Sequence, residues 1–181
     1  GPEDGCSGRG EGARLRVRDG MEANRVRIGL GWAALFLALL GLCWLFPVIG
    51  DDWFREELGR NLTGPLDLLE TLISGWQTYN GRVSGNLLAY VAGSRKLVRE
   101  LLRALFLFGT VYFAARNAGG RGLWGTLLMG AALLALPRDL FAQVYPWAAG
   151  FFNYVPPAAL LLAAFWLLGA VFEKQPVSAG A

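Results

Sequence analysis

The chain has 181 residues, of which 54% are hydrophobic and 17% are charged. An ordinary soluble domain carries about 25% charged residues, so this composition favours a membrane protein. The net charge is +3, and the basic residues are spread along the chain without forming a dense stripe, which argues against nucleic-acid binding. The two cysteines, Cys6 and Cys43, are poorly placed to pair, so we expect neither a disulfide framework nor a zinc site.

Residues 1–20 are rich in glycine and charge and contain a single leucine and a single valine. Such a segment cannot bury enough apolar surface to fold. We interpret it either as a disordered cytoplasmic tail or as a read-through remnant that precedes the start at Met21. A membrane domain is then expected over residues 21–173, followed by a polar tail over residues 174–181.

Four apolar segments predict transmembrane helices. The first is long enough to cross a bilayer core of about 30 Å and too long for the apolar part of a signal peptide. The two middle segments are short, so they either extend into their flanks or form a re-entrant hairpin. Pro156 and Pro157 are expected in the first turn of the last helix, where proline is well tolerated. The four segments are Ile28–Ile49, Leu101–Ala115, Leu123–Leu136 and Val155–Phe172.

The basic residues predict that the N-terminus is cytoplasmic. Arg25 and Arg27 precede the first span, and Arg116 and Arg121 lie in the turn between the second and third spans. Short cytoplasmic loops carry an excess of Lys and Arg, so both regions are placed inside. Further cations in the long outer connection oppose this rule, namely Arg55, Arg60, Arg82, Arg95, Lys96, Arg99 and Arg103.

The outer connection, residues 50–99, predicts two short helices that lie on the membrane surface. Thr63-Gly64-Pro65 can begin the first helix, which continues with apolar residues along one side. A second apolar stretch, Leu87–Ala92, follows a polar turn. Amphipathic helices of this kind commonly lie in the membrane interface.

The adjacent carboxylates Asp51 and Asp52 directly follow the first span. Apolar surroundings at the membrane surface can raise the pKa of a carboxyl group and prepare it to act as a base. The alternative interpretation is that the two residues mark the point where the chain leaves the bilayer.

Two further clusters are candidate binding sites. Asn80, Arg82 and Asn86 lie in a polar turn, where amides can bind a sugar and a guanidinium can bind phosphate. The same turn could simply connect two surface helices, with Arg82 bound to lipid phosphate. In the other cluster, Trp147, Asn153 and Tyr154 could form a stacking platform for a sugar ring, although interfacial aromatic belts are common.

These motifs occur in a characteristic order: Asp51-Asp52 after the first span, Asn-Gly-Arg-x-Ser-Gly-Asn at 80–86, and Trp-x-x-Gly-x-x-Asn-Tyr-x-x-Pro at 147–157. In this order they resemble the N-terminal part of polytopic membrane proteins of the GT-C glycosyltransferase superfamily. The likeness is to bacterial glucosyltransferase-like members and covers about residues 27–173.

The resemblance implies an all-α polytopic protein of the bacterial inner membrane that transfers a sugar from a polyprenyl-phosphate carrier on the extracytoplasmic face. It implies that Asp51 or Asp52 acts as base or helps to place a divalent metal, and that Arg82 meets the carrier phosphate. Asn80, Asn86 and Asn153 would contact the sugar.

Family members carry more spans than the four predicted here. We therefore expect a fragment or truncated reading frame, or a protein whose fold is completed by a second chain. Membrane lipid and a lipid-linked sugar donor are the expected partners, and nucleic acid is not. The alternative function is that of a non-catalytic integral membrane accessory subunit.

Overall fold

A computed structural model describes residues 7–78, 81–120 and 122–174 of the chain. All regular secondary structure in these residues is α-helical, which confirms the predicted class. The chain divides into two compact units, Gly1–Leu35 and Phe36–Ala181, and the site described below lies within the second. The helices are α1 (Ser7–Trp44), α2 (Asp52–Asn61), α3 (Pro65–Thr78), α4 (Val83–Gly93), α5 (Lys96–Asn117), α6 (Gly122–Leu134), α7 (Arg138–Val144) and α8 (Ala148–Lys174).

Two helical segments are long and apolar enough to cross a membrane, Ala23–Trp44 in α1 and Ala148–Gly169 in α8. The pair α6 and α7 is bent by 105° and adds a third candidate if it is counted as one broken span. The predicted second span coincides with α5, but the first turns of α5 carry charged residues. By length and composition the described residues therefore contain two or three candidate spans, against the four predicted.

The last predicted span begins seven residues too late. We expected a helix from Val155 with Pro156 and Pro157 in its first turn, but α8 begins at Ala148 and both prolines lie inside it. Proline is compatible with helical φ although it removes a backbone hydrogen bond. The helix begins at Ala148 because a carboxylate distant in the sequence accepts bonds from its first N–H groups, which sequence rules for capping do not reveal.

Both short helices predicted in the outer connection are present, as α3 and α4. Helix α3 begins at Pro65 as expected, and Asp67 in its first turn accepts hydrogen bonds from the backbone N–H and the hydroxyl of Thr63. Helix α2 was not predicted. Its signal was the helical spacing of opposite charges, since Arg55 pairs with Asp51 and Arg60 pairs with Glu56.

Close helix contacts position the outer helices. Helix α2 packs against α4, and α4 packs against α8. At the first crossing, a Cβ at Gly59 would lie 2.7 Å from the Tyr90 carbonyl oxygen, and a Cβ at Gly93 would lie 3.0 Å from that of Arg55. Only glycine permits such an approach without displacing a backbone. Helix α2 is therefore fixed against α4 at two points.

Helix α5 forms the centre of the fold and packs along α8 and α6. Its apolar contacts include Leu107 and Val111, which are fully buried. It ends in a Schellman motif: Gly119 has φ of 78°, and the N–H groups of Gly119 and Gly120 donate to the carbonyls of Arg116 and Ala115, respectively. The sharp turn predicted after the second span is therefore present.

Candidate functional site

The start of α8 is held by side chains from two other helices. Asp52 accepts the backbone N–H of Ala148 through Oδ2 at 2.8 Å and that of Ala149 through Oδ1 at 3.0 Å. From α5, Arg103 Nη2 donates to the carbonyl oxygen of Pro146 at 2.7 Å. The first N–H groups of a helix have no partner within it and carry partial positive charge, so a carboxylate stabilises them.

Asp51 binds the same segment, but its partner is the side chain of Trp147 instead of the backbone. Its Oδ1 accepts the indole N–H of Trp147 at 2.7 Å, and its Oδ2 lies 3.4 Å from Nη2 of Arg55. The Asp51 side chain is 40% exposed, whereas Asp52 is 4% exposed as a residue. We call Asp51, Asp52 and Arg103, together with the residues 146–149 that they bind, the α8 clasp.

Arg55 connects the clasp to α4. Its Nη1 donates to Oδ1 of Asn86 at 2.9 Å, and its guanidinium carbon lies 5.9 Å from the ring centroid of Tyr90. Both Arg55 and Asn86 are buried. Nε of Arg55 is buried without a hydrogen-bond partner among the described residues. A buried donor without a partner lowers the free energy of unfolding, and this N–H can donate to one further acceptor.

A cavity of about 490 Å³ opens beside Asp51 and Arg55, between α2, α3 and α4. This volume is within the range of about 300–1,000 Å³ typical of small-molecule sites. One ion pair, several hydroxyl groups and two aromatic rings face it, and these groups suit a ligand that carries hydroxyls and an apolar face. The lining residues are Asp51, Phe54, Arg55, Leu58, Thr71, Ser74, Gly75, Thr78 and Tyr90.

A buried ion cluster lies behind the clasp in the first turns of α5. Glu100 is fully buried and accepts bonds from Nε of Arg99 at 2.9 Å and Nη1 of Arg103 at 3.1 Å. Arg99 also lies 3.4 Å from Glu56 of α2. The sequence analysis treated these arginines as loop cations. The missed signal was the placement of Glu100 beside Arg99 and one turn before Arg103.

Burial raises the pKa of Asp52 above its ordinary value. The bonds from Ala148 and Ala149 and the nearby charge of Arg103 oppose this rise, and the charge of Asp51 adds to it. The sequence analysis expected apolar surroundings to raise the pKa of a carboxyl at this position. The two carboxylates nevertheless occupy different environments, since Asp52 is buried against a helix end and Asp51 faces the cavity.

The structure brings several predicted site residues into one network. Asp51 and Trp147 are hydrogen-bonded, Asp52 binds the next two residues of the chain, and Asn86 joins through Arg55. Asn153 joins this network through the backbone of Ala149, and it also packs against the start of α4. Its Nδ2 donates to the carbonyl of Ala149 at 2.6 Å.

The close approach of α4 to α8 occurs at Gly85. A Cβ at this position would overlap Oδ1 of Asn153, so the absence of a side chain at Gly85 allows the backbone of α4 to approach α8 closely. Gly85 thereby places Asn86 beside Arg55. The amide of Asn153 is consequently a contact between two helices as well as a candidate ligand group.

The remaining predicted binding residues that the structure describes lie on the surface. Arg82 precedes α4 and is exposed, and Tyr154 is 53% exposed on α8. Neither lines the cavity. Asn80 lies outside the described residues, and so does Arg121, on which part of the orientation argument rests.

The residues of this site do not fit a divalent metal ion. Both oxygens of Asp51 face N–H donors, one of them on a guanidinium, and both oxygens of Asp52 accept backbone N–H groups. In the part of the chain that the structure describes, no three His, Cys, Asp or Glu side chains form a group that could hold a metal.

The chain matches no protein-family model, no curated protein and no solved structure.

Proposed function

We propose that this chain is a membrane glycosyltransferase of the GT-C type, or part of one, that transfers a sugar from a polyprenyl-phosphate donor on the extracytoplasmic face. The observation that carries the proposal is the position of Asp51. Its carboxylate is partly exposed, lines the cavity of about 490 Å³ and is oriented by Trp147 and Arg55. A carboxylate held in a ligand-sized cavity can serve as a general base.

In the proposed reaction Asp51 takes the proton from the acceptor hydroxyl. The hydroxyl oxygen then forms a bond to the anomeric carbon of the sugar, and the bond between that carbon and the phosphate oxygen breaks. The carrier phosphate leaves with the electron pair of the broken bond. Arg82, exposed before α4, is proposed to meet the phosphate, and the amides of Asn80, Asn86 and Asn153 are proposed to contact sugar hydroxyls.

The proposed topology has four crossings of the bacterial inner membrane, with the N-terminus cytoplasmic and α3 and α4 in the outer interface. Helix α5 is proposed as the second crossing. Its buried arginines, Arg99 and Arg103, lie in the first turns, at the proposed outer end, and they are paired with Glu56 and Glu100, which reduces the cost of placing them near lipid. The exposed apolar side of α3 supports an interfacial position and comprises Leu66, Leu69, Ile73 and Trp76.

A second candidate is a non-catalytic membrane accessory subunit. The observation that favours it is the structural use of the polar residues, since Asp52 caps a helix and Arg55 bonds Asn86. In that case the cavity would be a contact site for a partner chain.

The experiment that separates the two candidates is an assay of sugar transfer. Membrane vesicles that contain the protein receive a panel of radiolabelled polyprenyl-phosphate hexoses, and the label that leaves the carrier lipid is measured. We expect transfer, and we expect Asp51→Asn to lower it by about a hundredfold or more, because a positioned base contributes about 10²–10⁴-fold to rate.

The matched control is Glu57→Gln, which neutralises an exposed carboxylate on α2, the helix that Asp51 immediately precedes. This variant should transfer sugar at the wild-type rate. Full activity in Asp51→Asn would remove the catalytic assignment, and the lack of transfer from every donor would favour the accessory subunit.

A further inference from the structure

We propose that Asp52 is a positioning residue: it holds the first turn of α8 so that Trp147 orients the Asp51 carboxylate toward the cavity. Of the two adjacent carboxylates, Asp51 then takes part in the reaction and Asp52 maintains the geometry of the site. The part of the inference that concerns activity rests on the proposed function, and the part that concerns Trp147 does not.

The bonds of the clasp run along consecutive residues. Arg103 binds the carbonyl of Pro146, Asp51 binds the indole of Trp147, and Asp52 binds the next two backbone N–H groups. Each anchor is within 3.0 Å of its partner. Trp147 is therefore fixed on both sides of its backbone, and its indole N–H has a defined position from which to bind Asp51.

Helix packing alone does not provide this connection. The main contact of α2 is with α4, and α4 in turn packs on α8. Asp51, which immediately precedes α2, and Asp52, its first residue, bind the start of α8 directly, through groups 96 and 97 positions apart in the sequence. Without Asp52, the two N–H groups at the start of α8 would lose their acceptor, and the adjacent Trp147 would lose its fixed position.

The burial of Asp52 supports the same division of roles. Asp52 is 4% exposed and both of its oxygens are engaged, so a ligand in the cavity meets Asp51 first. The cavity lining includes Asp51 and does not include Asp52. Arg103 binds the other side of Trp147 and is itself fixed by Glu100, so the clasp is anchored on α5 as well as on α2.

The test compares Asp52→Ala with Asp52→Asn in the full chain, in lipid nanodiscs. Alanine removes both acceptors, whereas asparagine has nearly the same shape and retains one. The chain has seven tryptophans, so the indole N–H resonance of Trp147 is assigned in ¹⁵N-tryptophan-labelled protein by its loss in Trp147→Phe. The resonance of Trp76 on α3, outside the clasp, serves as the folding control.

In Asp52→Ala we expect the Trp147 resonance to shift, the amide exchange of Ala148 and Ala149 to accelerate, and sugar transfer to fall by about tenfold or more, the scale of losing a helix cap. In Asp52→Asn we expect transfer to stay within about threefold of wild type, because one capping bond is retained. Trp76 should not move in either variant.

Two results would overturn the inference. If Asp52→Asn is as inactive as Asp52→Ala while Trp147 is unmoved, Asp52 takes part in the chemistry. If Asp52→Ala leaves the Trp147 resonance and the amide exchange unchanged, the clasp does not position Trp147. Should wild-type protein transfer no sugar, the proposed function fails by itself, and the resonance and exchange data still decide whether Asp52 positions Trp147.

Discussion

Helix α8 is fixed in two regions that rely on different forces. Along its length it packs against α5, where fully buried residues such as Leu107 and Val111 contribute apolar contacts. At its start it is fixed by the α8 clasp, in which Asp51 and Asp52 accept hydrogen bonds from this segment and Arg103 donates one to it. The first region depends on many weak contacts and the second on a few directional ones.

The two regions should therefore tolerate substitution to different degrees. An apolar interface distributes its energy over many atom pairs, so the loss of one side chain lowers stability without changing the geometry elsewhere. A buried polar network loses its geometry when one member is removed, because the remaining donors or charges are left without partners. The site chemistry proposed above depends on the second region.

The largest effect on stability is expected for Glu100→Gln. This change removes the negative charge between Arg99 and Arg103, so two buried guanidinium groups lose their shared partner. Breaking a buried ion pair in this way costs about 3–5 kcal/mol. We expect the free energy of unfolding to fall by that amount in detergent micelles, and the Trp147 resonance to shift because Arg103 no longer has a fixed position.

Leu107→Ala is the control from the apolar region. Removing a fully buried leucine side chain costs about 2–5 kcal/mol, so the two variants lose comparable stability. The comparison between the two regions predicts that Leu107→Ala leaves the Trp147 resonance in place. A shift of equal size in both variants would show that α8 responds as one rigid unit and that the clasp has no separate role.

A smaller effect is expected for Gly85→Ala. The added methyl group would overlap Oδ1 of Asn153, which the bond to Ala149 holds in place, and would lie 3.2 Å from the Cα of Asn153. We therefore expect α4 to shift away from α8 and to carry Asn86 with it. Overpacking of this kind costs about 1–3 kcal/mol. Nuclear magnetic resonance of the Arg55 guanidinium should report a weakened bond to Asn86.

Gly41→Ala is the matched control for that glycine. Gly41 also lies in a helix, but a Cβ there would meet no atom within 4 Å. Replacing such a glycine by alanine should be neutral or stabilise the helix by up to about 1 kcal/mol. If both variants behave alike, the contact between Gly85 and Asn153 does not constrain α4.

The sequence predicted the elements whose signals are local. The start of α3 at Pro65 follows from proline and the polar residues before it, and the end of α5 follows from the adjacent glycines 119 and 120. The all-helical class follows from the length and apolar composition of the segments. These features depend on a few neighbouring residues, so they can be identified without the fold.

The sequence could not predict interactions between distant residues. Asp52 determines where α8 begins, although 95 residues separate it from Ala148. For the same reason the predicted positions of Pro156 and Pro157 in α8 are wrong, and Arg99 and Arg103, which were predicted as loop cations, are partners of Glu100. Each error arose from a buried polar group whose partner is not apparent from the sequence. Asp52 has its partner on another helix, and Arg99 and Glu100 lie before the predicted start of the helix that contains them.

The smallest predicted effect is a dependence of stability on pH that arises from Asp52. Burial raises the pKa of this carboxyl in the folded protein above its ordinary value of 3.8. As the pH rises from 3.8 through the raised pKa, the folded state retains a proton that the unfolded state has released, so the stability contributed by Asp52 declines across this window and is constant above it.

Asp52→Asn does not titrate and supplies the reference. The free energy of unfolding of wild type minus that of Asp52→Asn should therefore decrease with rising pH in that window, as measured in detergent micelles at pH values on both sides of it. A difference that does not change with pH would mean that the capping bonds offset the burial cost in full. A decrease would show that ionisation of Asp52 lowers the free energy of unfolding. The role of this carboxylate would then be the geometry that it imposes on Trp147 and Asp51, rather than stability.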